Sequence, residues 1–121
     1  MVNIQIEGLK EVKKFLKKKD ANINRQIKLG MGKSAILVQG NVKKSIAGQA
    51  AEPKSVDTGR FLNSIEIDVQ VDNAAIFSNL PYANILEEGA SNRIARNHFK
   101  NSAARSKAGV KKILNASIKN I

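Results

Sequence analysis

From Ile23 to Ile46 the apolar residues recur at three- and four-residue steps, through Ile27, Met31, Ala35, Val38 and Val42, with Ser34 on the same side. Past Gly48 the period drops to two. Ile65, Ile67, Val69 and Val71 alternate with Ser64, Glu66, Asp68 and Gln70. A chain whose apolar spacing changes from the helical to the pleated period has to lay a helix stripe against one face of a sheet, because neither surface is stable bare in water. The order of patterns, helices then a hairpin then a helix, sets the expectation of an α+β domain with a small antiparallel sheet packed on helices.

The helical run is about 25 residues, or roughly 37 Å at 1.5 Å per residue. Gly30, Gly32 and Gly40 fall inside it, and each costs about 1 kcal/mol relative to Ala in an exposed helix. Three together imply either a break near Gly30-Met31-Gly32 or close packing of the backbone on a neighbour; a continuous helix is the expectation. Upstream, Asn3–Glu7 suits a short strand. After Gly8, Leu9, Val12, Phe15 and Leu16 interleaved with lysines predict an amphipathic helix to about Lys19, with Asp20 as cap for the long helix.

Downstream, Gln49 to Ser55 is a loop containing Glu52-Pro53, and Leu62 to Val71 is the first strand of a hairpin. Asp72-Asn73 makes its turn and Ala75 to Ser78 its return. Pro81 suits the first turn of a short helix through Glu88, ended by Gly89 in a left-handed conformation. Ala90 to Asn97 is a polar loop carrying Arg93 and Arg96, both candidates for contact with a partner. The last helix runs from about His98 to Lys119, burying Phe99, Ala103, Val110, Ile113, Leu114 and Ile118. Without repeats or a linker, residues 1–121 read as one domain.

Composition narrows the function. With 4% aromatic residues, no Trp and one Tyr, aliphatic side chains must supply the core. The absence of Cys removes disulfides and thiolate chemistry and suits an intracellular origin. The N-terminus lacks the charged-then-apolar pattern of a signal peptide, and no apolar run approaches the ~20 residues needed to cross a bilayer. A soluble protein with no membrane partner is expected. The net charge of +11 is unevenly spread. Residues 1–54 carry a balance of +8, residues 55–92 a balance of −5, and residues 93–121 a balance of +8 with no acid at all. Nucleic acid, acidic neighbours in an assembly, or simply a solvated lysine-rich surface would account for it.

The candidates for chemistry are few. Asp57-Thr58-Gly59 matches the aspartic-protease motif, in which two carboxylates share a proton. Here Arg60 follows, and its fixed charge would depress the raised carboxylate pKa that such chemistry requires. The residues read better as a turn, with Asp57 accepting a backbone amide and Gly59 permitting positive φ. His98 is the only histidine, which denies the chain a histidine-based metal cluster; at a helix start it reads as a surface or capping residue. Glu87 and Glu88, adjacent on a helix, diverge by about 100° and form no dyad. Gly30-Met31-Gly32-Lys33-Ser34 ends like a phosphate-binding loop but lacks the earlier glycine and the preceding strand. No enzyme activity and no cofactor are expected.

Taken in order, Gly8-Leu9, the long helix, Val56-Asp57-Thr58-Gly59-Arg60-Phe61-Leu62-Asn63-Ser64-Ile65, the hairpin, Tyr82-Ala83-Asn84-Ile85-Leu86-Glu87-Glu88-Gly89, an arginine-containing loop with Phe99, and a C-terminal helix resemble the lambdoid-type phage tail-component family. The resemblance covers nearly the whole chain. It departs at Ser55 and His98, where proline is usual, and at Ala90, where threonine is usual. It implies a structural virion protein of the tail-completion or head–tail joining kind, located at the tail or the head–tail interface and assembled in the host cytoplasm. It further implies a homo-oligomeric ring, hexameric in stoichiometry, with other tail or connector proteins as partners and only incidental contact with phage DNA. Asp57, Thr58, Gly59 and Arg60 would then brace the sheet with the segment from Tyr82 to Gly89, Tyr82 and Glu87 being candidate partners for Arg60. The alternative is a small basic nucleic-acid-binding protein.

Overall fold

A computed structural model describes residues 2–7, 21–50, 52, 59–71, 73–89 and 95–119. The expected amphipathic helix up to Lys19 and the Asp20 cap lie outside them, as do Asp57, Thr58, Asp72 and Arg93. The elements are β1 (Val2–Glu7), α1 (Ala21–Ile46), α2 (Arg60–Asn63), β2 (Glu66–Val69), β3 (Asn73–Ser78), α3 (Ala83–Glu88) and α4 (His98–Lys119). The fold is α+β, a three-stranded antiparallel sheet of order β1-β3-β2 under helices. β2 and β3 form the expected hairpin, while β1 returns from the far end of the sequence to pair Ile4 with Ile76 and Ile6 with Ala74.

α1 is unbroken through its glycines. Its core stripe of Ile27, Met31, Ala35, Val38, Val42 and Ile46 is enclosed, and it meets Ile6, Ala74 and Ile76 from the sheet, Phe61 and Ile65 from the hairpin entry, and Phe99 and Leu114 from α4. Gly30 explains itself by close approach. A Cβ there would lie 2.0 Å from Ser117 Oγ and 2.9 Å from Ser117 Cβ, so the Gly30 backbone, packed against the Ser117 side chain, has room only for hydrogen.

The seam between these helices is partly polar. Asn41 Nδ2 donates to Ser106 Oγ at 2.8 Å, and Ser106 Oγ donates to Ser102 O at 2.7 Å. The apolar pattern of α4 did not announce Ser102 and Ser106 as interior residues, yet both are buried, whereas Ala103, Val110 and Ile113 are only half-buried. A serine can occupy the interior of a helix pair because its hydroxyl reaches a carbonyl one turn back.

The hairpin entry departs from the alternation. Arg60–Asn63 is a single helical turn, and the strand begins at Glu66 rather than near Leu62. The cause is local. Ser64 closes the turn by donating both its amide (3.1 Å) and its hydroxyl (2.6 Å) to Phe61 O, which competes with extension and drives Phe61 into the core. From Ile65 onward the alternation holds, with Glu66 and Asp68 exposed. The return strand starts at Asn73, two residues before the expected Ala75.

Candidate functional site

The two motif segments, some twenty residues apart in sequence, fold onto each other. Gly59 has φ 80° and ψ −1°, the left-handed conformation expected of the turn glycine, and it begins α2. That orientation buries Phe61 beside it, leaves Arg60 exposed, and sets the Phe61 ring edge-on to Tyr82, with centroids 6.2 Å apart at 66°. Tyr82 precedes α3 and is itself 37% exposed. Ser64 Oγ and Ser78 Oγ, 2.7 Å apart, tie the corner to the end of β3.

Glu87 has a task the sequence did not suggest. It is buried, and its two carboxylate oxygens each accept a backbone amide at 2.8 Å, Oε1 from Phe99 and Oε2 from Lys100. These are free donors of the first turn of α4, so a carboxylate from α3 caps a helix it does not belong to. Its charge also opposes the positive end of the helix dipole. Both oxygens are thus engaged at α4 and not simply held for Arg60. Two backbone bonds reinforce the junction, Arg96 N to Leu86 O at 3.0 Å and Asn97 N to Glu87 O at 3.1 Å, with Asn97 at φ 52°. Arg96 is half-buried in this turn. Gly89 has the expected positive φ of 80°, but ψ is −178°, an extended exit and not the left-handed helical cap.

Beneath this corner lies a buried polar cluster. His98, expected at the surface or as a cap, is fully enclosed. Its Nδ1 lies 2.7 Å from Ser45 Oγ, and Ser45 Oγ lies 2.5 Å from Glu52 Oε1. Glu52 Oε2 accepts from Asn101 Nδ2 at 3.1 Å and forms an ion pair with Arg105. The one hydroxyl proton of Ser45 is drawn to the carboxylate, which can only accept. Ser45 Oγ therefore accepts from His98 Nδ1–H, and the neutral imidazole holds its proton on Nδ1.

The charges follow from the geometry. The Arg105 guanidinium, with the Ser45 and Asn101 bonds, holds the Glu52 carboxyl down to about 2 against the opposing effect of burial. Burial pushes His98 down to about 4; the Glu52 charge resists this, while Arg96 and Arg105 add to it. The bond to Glu52 raises Arg105 further above its ordinary value.

Ser45, His98 and Glu52 are the residue types of a nucleophilic triad, but the arrangement differs. In a triad the imidazole stands between hydroxyl and carboxylate; here the hydroxyl stands in the middle. Ser45 and His98 are completely enclosed, so a substrate carbon has no approach to Oγ. What the cluster can do is clamp the C-terminal turns of α1, the loop at Glu52 and the first two turns of α4. Sequence reading missed it, although two signals existed: Ser45 falls at a core position of the α1 stripe, and His98, Asn101 and Arg105 share one face of α4. Glu52, a lone acid in a loop, carried no signal. Among the described residues no group of three or more His, Cys, Asp or Glu is placed to hold a metal ion, and no helix is long and apolar enough to cross a membrane. No family model, curated protein or solved structure matches the chain.

Proposed function

We propose that the chain is a structural subunit of a tailed phage or prophage, a ring-forming tail-completion or head–tail joining protein of the virion. The observation that carries the reading is the pairing of the two motif segments. The Gly59-Arg60-Phe61 turn and the Tyr82-to-Gly89 segment resemble the family's in residues and spacing, and they meet through Phe61 and Tyr82. Glu87 within the second segment then anchors α4. The product is a braced corner at one end of the sheet, a rigid mount for surfaces that bind neighbours. Its partners would be copies of itself and other tail or connector proteins. Electron microscopy of particles assembled with and without the protein tests this: free heads beside unjoined tails are expected in its absence, and normal joining would refute it.

A second reading, a small basic nucleic-acid-binding protein, is favoured by α4. Lys100, Lys107, Lys111, Lys112 and Lys119 are all exposed on a helix without an acid. It requires duplex binding that weakens steeply with salt, since neutralised phosphates release counterions. A gel shift insensitive to salt, or none, removes it.

A further inference from the structure

The sheet and α1 present two outward surfaces that suit each other and point in opposite directions. The inner face of the sheet is covered by the buried stripe of α1. The opposite stripe of α1 and the opposite face of the sheet are therefore on opposite sides of the subunit.

On α1 the outward stripe holds Leu29 and Ile36, 54% and 62% exposed, seven residues and so two turns apart. They are the two most exposed large hydrophobic residues among those described. Cations surround them: Arg25, Lys28, Lys33 and Lys44 are exposed, and α1 contains no acid. Gly32, one turn before Ile36, has nothing within 4 Å of where a Cβ would stand. Among the described residues no contact offsets the glycine's helix cost.

The sheet carries the reverse charge. Its three strands contain Glu7, Glu66 and Asp68 and no Lys or Arg. The register puts Glu66 beside Phe77 and Asp68 beside Ala75 on the outward face, with both acids exposed and both β3 residues half-buried. The centre of that face is apolar, its β2 margin is anionic and its β1 margin carries Asn3, Gln5 and Glu7, while the α1 stripe is an apolar line with cationic margins.

We propose that the outward stripe of α1 docks on the outward sheet face of a second copy of the chain. The proposal rests on the ring-subunit reading for its setting and names the surfaces that reading leaves open. Because the two surfaces differ and lie on opposite sides, the contact is heterologous, head to tail, which closes into a ring if the rotation allows. Opposite charges at the margins set the register, and the aliphatic side chains supply the burial.

Sedimentation velocity over a range of concentrations and salt tests it. The native chain is expected to self-associate, and Ile36→Asp to weaken association about 30-fold, the effect of one aliphatic side chain kept from burial. Circular dichroism of the variant should be unchanged, since Ile36 is mostly exposed on α1. Two charge reversals, Glu66→Lys with Asp68→Lys and Arg25→Glu with Lys33→Glu, should each be monomeric alone and associate when mixed. Association that survives Ile36→Asp, reversals that fail to rescue each other, or a native chain that stays monomeric would each overturn the docking. So would a Lys33→Glu variant that loses duplex DNA but keeps its association state, because the stripe would then serve a polyanion. Particle assembly separates the two proposals. Tails that incorporate Ile36→Asp normally overturn the surface and leave the tail role standing; an associating protein that never enters tails does the reverse.

Discussion

Acid should lower this protein's stability over two successive pH intervals, and His98 should own the first. The folded imidazole is neutral because it is enclosed, with its pKa pushed down to about 4, whereas the unfolded chain protonates it near the ordinary 6.5. Between those values the unfolded state binds more protons than the folded one, so stability falls as pH falls. The contribution is complete above about pH 6.5 and is gone by about pH 4. At about 1.4 kcal/mol per pH unit, the interval amounts to about 3 kcal/mol, a large share of the 5–15 kcal/mol typical of a domain. Glu52 follows: its contribution is present above about pH 4.5 and is lost as pH falls toward about 2. The assay is urea unfolding followed by far-UV circular dichroism at about pH 7.5, 6.5, 5.5 and 4.5, for the native protein and for His98→Asn. Asparagine can offer Ser45 an N–H in place of Nδ1–H but does not titrate. The variant should be weaker at neutral pH by about 1–3 kcal/mol, from the volume it leaves empty. Its stability should then decline less steeply than the native protein's, by about 1 kcal/mol per pH unit near pH 5.5. Protonation of surface carboxylates affects both proteins alike, so the difference in slope isolates the histidine. Equal slopes would refute the buried, neutral imidazole.

The other expectations concern the same corner and the helix pair. Glu87→Ala should cost about 3 kcal/mol in urea unfolding and Glu87→Gln about 1–2, since glutamine keeps one acceptor but no charge; equal, negligible costs would mean the carboxylate does not cap α4. Ser45→Ala should cost about 1–3 kcal/mol by leaving His98 Nδ1–H and a Glu52 oxygen without their partner, and a neutral effect would remove the clamp. Arg105→Met should flatten the acid limb between about pH 4.5 and 2, because Glu52 loses the main cause of its lowered pKa; an unchanged limb in a pH titration would assign that limb elsewhere. Gly30→Ala should lower thermal stability, by about 1–3 kcal/mol, through collision with Ser117. Gly32→Ala, measured in dilute solution, should raise it by up to about 1 kcal/mol.

The elements were legible because their signals are local. The core stripe of α1, the alternation from Ile65 to Val69 and the bounds of α4 at His98 and Lys119 are properties of neighbouring residues, written at periods of 3.6 and 2. So was the positive φ at Gly59, which the turn chemistry requires. Local signals also misled where a side chain competed with the backbone, as when Ser64 held Arg60–Asn63 in a helical turn at the start of an alternating run. The pairings were another matter. That β1 joins β3, that Glu87 caps α4, and that Ser45, Glu52, His98 and Arg105 converge depends on which distant segments come together. A buried polar residue is stable only with its partner in place, and a partner 53 residues away, as for Ser45 and His98, leaves no periodic trace in the chain. Periodicity thus sufficed to specify the long helices, the core of the hairpin and the buried stripe of α1, while the polar side of α4 and the enclosure of charge came only with the packing that removed water around them.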